Sequence, residues 1–313
     1  MFKLIVLGII AGAFFSTTFV LNELMSVSGG HWLWSATLRY FFMILFLALV
    51  LLFQGGIQRI IDVCKLYISN YIFWTISGTI GFGFFYALIC FSADFSPGWV
   101  IAATWQFTVV ATLFVLMFFG KKFPKKIWFF SALVFLGVCL VNLSHMDHFD
   151  LKALLLGGIP ILIASFCYPI GNQLVWEAKN GNHKNVPQIK SKLLNNAFNK
   201  VFLLSLGSLP LWFILIAIIQ PNAPSDSQVF NTALVALFSG VFATSIFLYA
   251  RNIAKDSNEI AAVDATQASE VVFALIGGIV FLGSGSLNLS SFVGLTLIMV
   301  GLFLFTKYQN TIK

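Results

Sequence analysis

Ten stretches of this chain are each long and apolar enough to cross a bilayer, and that repetition constrains the fold more than any motif does. A hydrocarbon layer ~30 Å thick takes about 20 helical residues. The predicted spans fall at 3–26, 31–53, 70–93, 97–119, 126–143, 151–176, 197–219, 229–250, 259–282 and 289–308. Lipid offers backbone N–H and C=O groups no partner, so each span must satisfy its own as a helix. The expected fold is an all-α membrane protein of ten transmembrane helices. Composition excludes a soluble fold: 59% of the 313 residues are hydrophobic and only 9% are charged, against roughly 25% charged in a soluble domain. The first span, from Phe2, is too long for a signal-peptide core and reads as a retained helix.

Charge sets the orientation. Of the 18 Lys and Arg, all but Lys152 and Arg39 fall in alternate loops and at the two tails. These are Lys3, Arg59, Lys65, Lys121, Lys122, Lys125, Lys126, Lys179, Lys184, Lys190, Lys192, Lys200, Arg251, Lys255, Lys307 and Lys313. Basic loops stay on the cytoplasmic side, so both termini are expected there. The same bias accounts for the net charge of +7 without nucleic acid as a partner.

Five helices in each half means that the second half enters the membrane from the opposite side, as an inverted repeat. The first repeat is 1–145 and the second 146–313, with a polar linker over about 177–196. Matches recur at a near-constant offset: Ala103-Thr104 with Ala265-Thr266, Val109-Val110 with Val271-Val272, and Ser77-Gly78 with Ser239-Gly240. Tyr86-Ala87 pairs with Tyr249-Ala250, Gly137 with Gly301, and Asn22-Glu23-Leu24 with Asn172-Gln173-Leu174.

The polar residues inside these spans are the candidates for function. Glu259 to Gly283 carries Asp264, Gln267 and Glu270, which at ~100° per residue share a stripe about 120° wide. Carboxylates at membrane depth are costly and face a cavity rather than lipid, so Asp264 and Glu270 read as a cation- or proton-binding pair. Arg39 keeps its proton. It needs either a salt bridge to Glu23, Asp264 or Glu270, or a substrate carboxylate or phosphate. Glu23, beside Asn22, ends the first helix near the outer surface, either as a wetted helix end or as an entry gate.

Aromatic faces bind ammonium groups when water is excluded, which brings in Trp34, Tyr86, Trp105, Tyr168 and Trp176, with Gln106 next to Trp105. Trp32, Trp99, Trp128 and Trp212 sit at helix ends as interfacial anchors. Tyr168-Pro169-Ile170-Gly171-Asn172-Gln173 joins a kink-prone proline to side-chain donors and reads as a hinge and binding segment. The four cysteines lack metal-ligand or disulfide spacing. His145 and His148, near Asp147 and Asp150, read as a solvated loop. No hydrolytic or group-transfer motif occurs, so an enzyme is not expected, and neither is a metal or cofactor.

Gly8 to Met43, GIIAGAFFSTTFVLNELMSVSGGHWLWSATLRYFFM, resembles the drug/metabolite transporter superfamily, in the branch named after the small multidrug-resistance exporters. HWLWSATLRY, His31 to Tyr40, is its most specific element, and the ten-helix plan extends the likeness over the whole chain. The resemblance implies a multi-pass exporter of the bacterial inner membrane with a central cavity between halves, often coupled to proton entry. The small exporters carry a glutamate midway along their first helix, where this chain has Ser16, Thr17 and Thr18. If protons are coupled, Glu270 or Asp264 is the better candidate. The leading expectation is export of an amphipathic organic cation by alternating access. The alternative is a metabolite or amino-acid exporter in which Arg39 holds the substrate anion. One chain contains both halves, so a functional monomer is expected, with a dimer as the alternative.

Overall fold

The computed structural model describes residues 2–120, 122–123, 125–144, 151–181, 183–254, 259, 263–284 and 288–309. His145, Asp147, His148 and Asp150, and the basic Lys121, Lys255 and Lys313, lie outside the described residues. Among the described residues, ten helices are long and apolar enough to span, beginning with α1 (Phe2–Val27), α2 (Trp32–Ser69), α3 (Tyr71–Ser92), α4 (Gly98–Phe118) and α5 (Lys125–Ser144). They continue with α6 (Leu154–Asn180), α7 (Ala197–Ile219), α8 (Asp226–Arg251), α9 (Val263–Leu282) and α10 (Leu289–Tyr308). Each overlaps one predicted span, and no strand occurs among the described residues.

α2 runs on beyond its predicted end. The chain breaks at Gly55 and at Gly56, whose φ of +68° suits a residue without a Cβ. It then resumes as a helical stretch to Ser69. Gln58, Arg59, Asp62 and Lys65 make that stretch too polar to count as part of a span, although helical geometry continues through it.

Several other helices are interrupted at depth. α4 breaks at Gln106 and Phe107 and resumes at Thr108. α9 carries a single 3-10 turn over Thr266–Ala268. Wide π-turns occur over Thr79–Phe84 in α3 and Ala236–Ala243 in α8. Such turns release backbone groups from regular pairing, and membrane proteins tolerate them where they face protein or a cavity.

The packing is regular. α1 lies against α8 and α9, and α6 lies against α3 and α4. α2 packs on α8, and α7 on α3. α2 also pairs with α7, α4 with α9, and α5 with α10. Close approach depends on small residues: a Cβ on Gly81 would stand 2.8 Å from Gly171 Cα, so α3 and α6 cross almost backbone to backbone. Phe53, Phe118, Phe281 and Leu289 are exposed on the outside, where lipid solvates them.

Two expectations about tryptophan are corrected. Trp99 and Trp212 are not interfacial anchors but fully buried core residues. Trp212 stacks on Tyr40 with ring centroids 5.5 Å apart. They sit near helix ends in sequence, but the neighbouring helices cover those ends. The 177–196 segment is also more than a tether. Its first residues complete α6, and Gly181 at φ +68° caps that helix. The Ile189 N–H donates to the Ala178 carbonyl at 2.7 Å, and Val186, Ile189 and Leu194 are buried.

Candidate functional site

A cavity of about 580 Å³ lies at the centre of the bundle, walled by α1, α2, α3, α4, α6, α7, α8 and α9. Of the residues singled out in the sequence, eight line it: Arg39, Trp105, Gln106, Tyr168, Asn172, Trp176, Gln267 and Glu270. Gln106 and Gln267 arrive there because the breaks in α4 and α9 fall at those positions. Trp105, Tyr168 and Phe85 form an aromatic wall, with centroid separations of 4.9 Å for Phe85–Trp105, 5.1 Å for Phe85–Tyr168 and 5.6 Å for Trp105–Tyr168. The cavity reaches the end of the bundle where Lys179, Lys200 and Arg251 stand.

Arg39 is 8% exposed and makes none of the salt bridges considered for it. One Nη2–H donates to the Ser239 hydroxyl at 3.3 Å, and the guanidinium sits 4.0 Å from the centre of the Tyr86 ring. Nε and Nη1 are buried with no hydrogen-bond acceptor among the described residues. Ser239 is already held, since it accepts from the Thr18 hydroxyl at 2.7 Å. Tyr86 is pinned by Asn22, whose Nδ2 donates to the phenol oxygen at 3.0 Å. The guanidinium is therefore fixed from below while much of its donor fork remains unpaired.

Glu270 is 6% exposed and lines the same cavity. Its carboxylate has no hydrogen bond or ion pair among the described residues. The two central charges thus do not neutralise each other, although they share one chamber.

Four candidates lie elsewhere. Asp264 does not line the cavity; its Oδ1 accepts from Arg251 Nη1 at 2.8 Å, with the side chains 25% and 43% exposed. The 3-10 turn between Asp264 and Glu270 splits the stripe expected from an unbroken helix. A half-solvated pair of this kind contributes about 0–1 kcal/mol. Asp264→Asn is therefore expected to shift the thermal midpoint by no more than a few degrees, and a melting curve of the purified protein checks this.

Glu23 is buried, and its carboxylate accepts from the Gly98 N–H at 2.7 Å. It ties the end of α1 to the start of α4 rather than facing the cavity. Tyr86 acts from behind, as the platform under Arg39. Trp34, considered for the cavity, instead donates Nε1–H to the Asn222 carbonyl at 2.6 Å.

The bundle end that holds Glu23 is closed by polar ties. The Ser26 hydroxyl donates to Asp94 at 2.6 Å. Gln228 Nε2 donates to the His31 carbonyl and to the Ser35 hydroxyl, each at 2.9 Å. Burial pushes the Asp94 carboxyl above the usual carboxylate range, against the opposing pull of the Ser26 hydrogen bond and nearby His31.

Thr18, Ser239, Phe82, Phe85, Lys179 and Lys200 also line the cavity and were not among the site candidates. Ser239 did carry a signal, as the partner of Ser77 in the internal repeat. Lys179 and Lys200 resembled ordinary cytoplasmic charges, and nothing in their local sequence sets them apart.

The family described as "EmrE: Putative multidrug resistance efflux transporter" matches residues 2–311. The chain is similar to "Uncharacterized protein YjlA" of Bacillus subtilis (strain 168), at 37% identity over 97% of this chain and 94% of that protein. It is also similar to "Uncharacterized 42.1 kDa protein in intracellular alkaline protease 3'region" of Shouchella clausii, at 33% identity over 86% of this chain and 70% of that protein. A solved structure described only as "Crystal structure of protein" superposes with a TM-score of 0.58 at 14% identity, covering 96% of this chain and 95% of that one. That last likeness concerns the fold alone.

Proposed function

Because the chain belongs to the EmrE-like multidrug resistance efflux transporter family, we propose that it exports a small organic solute whose anionic group is held by Arg39. The observation that carries this reading is the buried guanidinium with Nε and Nη1 unpaired beside an open chamber. Burying such a group without partners is costly, and a carboxylate or phosphate matches its fork with two parallel hydrogen bonds. Lys179, Lys200 and Arg251 line the approach and favour arrival of an anion.

Glu270 supplies a second handle. An ionised carboxylate at that depth is expensive, so it suits either a proton or a cationic group of the solute. A zwitterion with an apolar body uses all three features: anion to Arg39, ammonium to Glu270, and the body along Phe85, Trp105 and Tyr168. The expectation of an amphipathic cation retains one support here, the lone carboxylate beside aromatic faces, but Arg39 opposes it.

Alternating access is supported by the asymmetry of the bundle. The cavity reaches the basic end, while the Glu23 end is tied shut. The helix contacts form matched sets, in which exchanging each helix for the one five places away in the other half carries α1–α8 onto α6–α3 and α2–α8 onto α7–α3. This favours two inverted repeats, 1–145 and 146–313, and so does the occurrence of breaks in both α4 and α9. We place the protein in a bacterial inner membrane as a functional monomer, with Glu270 as the residue that would couple protons.

Three matched probes test the substrate form on the purified protein: L-phenylalanine, 3-phenylpropanoate and phenethylamine. Tightest binding of the zwitterion is expected. In Glu270→Gln its advantage over 3-phenylpropanoate should disappear, a loss of about tenfold or more for a buried charge pair, while anion binding persists. Binding of phenethylamine alone, unaffected by Arg39 substitutions, would restore the cation reading.

A further inference from the structure

We infer that the stretch Ile57–Ser69 lies flat in the membrane surface and that the groove at its end holds an acyl chain of a phospholipid from the adjoining leaflet. This inference is independent of the transported substrate. It starts from the way the stretch divides its surroundings. With ~100° per residue, Ile57, Ile61 and Ile68 fall within about 40° of one another, and they are 62%, 40% and 69% exposed. About a third of a turn away, Gln58, Asp62, Lys65 and Ser69 form a polar face, with Gln58 donating to Asp62 at 2.8 Å. On the remaining side Val63 is fully buried, and Ile60, Leu66 and Tyr67 pack against the core.

A helix with one protein face needs a single apolar stripe. This one has a second, separated from the first by polar residues on one side, which is the pattern of a helix shared among protein, lipid and water. The chain on both sides supports lipid as the third partner. Phe53 before the break, and Tyr71 and Ile72 after the stretch, are 88%, 59% and 60% exposed and add large apolar side chains at both of its ends. The stretch is held to the bundle by Arg59, whose Nε donates to Asn199 Oδ1 at 3.4 Å, and by the Tyr67–Thr75 hydroxyl contact at 3.1 Å. Its exposed stripe is therefore fixed in place.

At its C-terminal end lies a groove of about 390 Å³, within the range that accommodates small ligands. Tyr71, Ile72 and Ile76 of α3, Leu174 of α6, and Val186 and Pro187 of the 177–196 segment line it, together with the polar Ser69, Asn70 and Asn185. Ser77 borders it as well, although its hydroxyl is fully buried, with no hydrogen-bond partner among the described residues. A mainly apolar trough beside the exposed isoleucines, with Ser69, Asn70 and Asn185 as its polar lining, suits an acyl chain whose ester carbonyl accepts from those polar groups. Val186 and Pro187 sit in the most polar segment of the chain, which gives the lipid no other reason to meet them.

Phosphatidylcholine bearing a diazirine on one acyl chain, reconstituted with the full-length protein, tests both parts. Labelling is expected at Ile57, Ile61 and Ile68, with at least fivefold less at Gln58, Asp62 and Lys65, and additionally at Val186 or Pro187. Ile76→Trp, which fills the groove, should cut labelling of Val186 and Pro187 at least fivefold and leave Ile57, Ile61 and Ile68 unchanged. Absence of acyl-chain label from the 185–187 segment, or label that persists there in Ile76→Trp, would overturn the lipid site. Crosslinks from position 61 or 68 to a second copy of the chain, in place of lipid label, would overturn the surface assignment.

Discussion

Replacing Arg39 by Met is expected to abolish solute binding while leaving the protein as stable as before. The lost partner of a desolvated anion costs about 2–5 kcal/mol, or tens- to thousands-fold in affinity. Stability should barely change, because the guanidinium gains little from its surroundings: one 3.3 Å hydrogen bond to Ser239 and the face of Tyr86. Against these stands the cost of burying Nε and Nη1 unpaired. Methionine fills similar volume with no donor to satisfy. Arg39→Lys should also fail, since an ammonium group cannot reproduce the planar fork. Isothermal titration with 3-phenylpropanoate and a melting curve on the same sample separate the two effects. A melting midpoint that falls by more than about 10 °C together with lost binding would instead make Arg39 a structural residue.

The second large effect is on folding. Gly207→Leu is expected to prevent recovery of monodisperse protein, and Gly207→Ala to lower stability substantially. A Cβ at this position would collide with the Trp74 carbonyl oxygen of α3. On the facing helix, a Cβ on Gly78 would strike the Leu204 carbonyl oxygen. Both obstacles are backbone, so relief requires helices α3 and α7 to move apart. Overpacking a rigid interior costs typically about 1–3 kcal/mol and occasionally more, and the Leu variant belongs at or beyond the upper end. Gly83→Ala provides the contrast, because its new methyl would meet the end of the Leu211 side chain, which can rotate aside. Size-exclusion profiles and thermal midpoints of the three variants should rank Gly83→Ala mildest and Gly207→Leu most severe. Equal behaviour of Gly83→Ala and Gly207→Ala would show that α3 and α7 are less tightly apposed.

The two predictions depend on different kinds of information. Arg39 stood out in the sequence because a guanidinium among Trp, Leu, Phe and Met at membrane depth needs an explanation, whatever the fold. Gly207 did not stand out, since glycine is frequent in membrane helices and only the facing carbonyl reveals its necessity. Glu270 was identified for the same reason as Arg39. Asp264 was grouped with it on helical periodicity, and that grouping failed because the 3-10 turn at Thr266–Ala268 breaks the 3.6-residue repeat on which it rested.

What the sequence determined by itself was the number of helices, their apolar lengths and the rare residues that cannot face lipid. Those follow from solvation, and the cost of moving a charge or an unpaired amide into hydrocarbon hardly depends on what lies across the bundle. Which charges meet was decided only by the tertiary structure. Arg39 faces a ring and a hydroxyl rather than a carboxylate, Asp264 turns to Arg251, and Glu23 accepts from the Gly98 N–H. Contacts of that kind depend on helix rotation and on breaks within helices. Both are set by packing between segments as far apart in sequence as Thr18 and Ser239, 221 residues, and no local pattern encodes them.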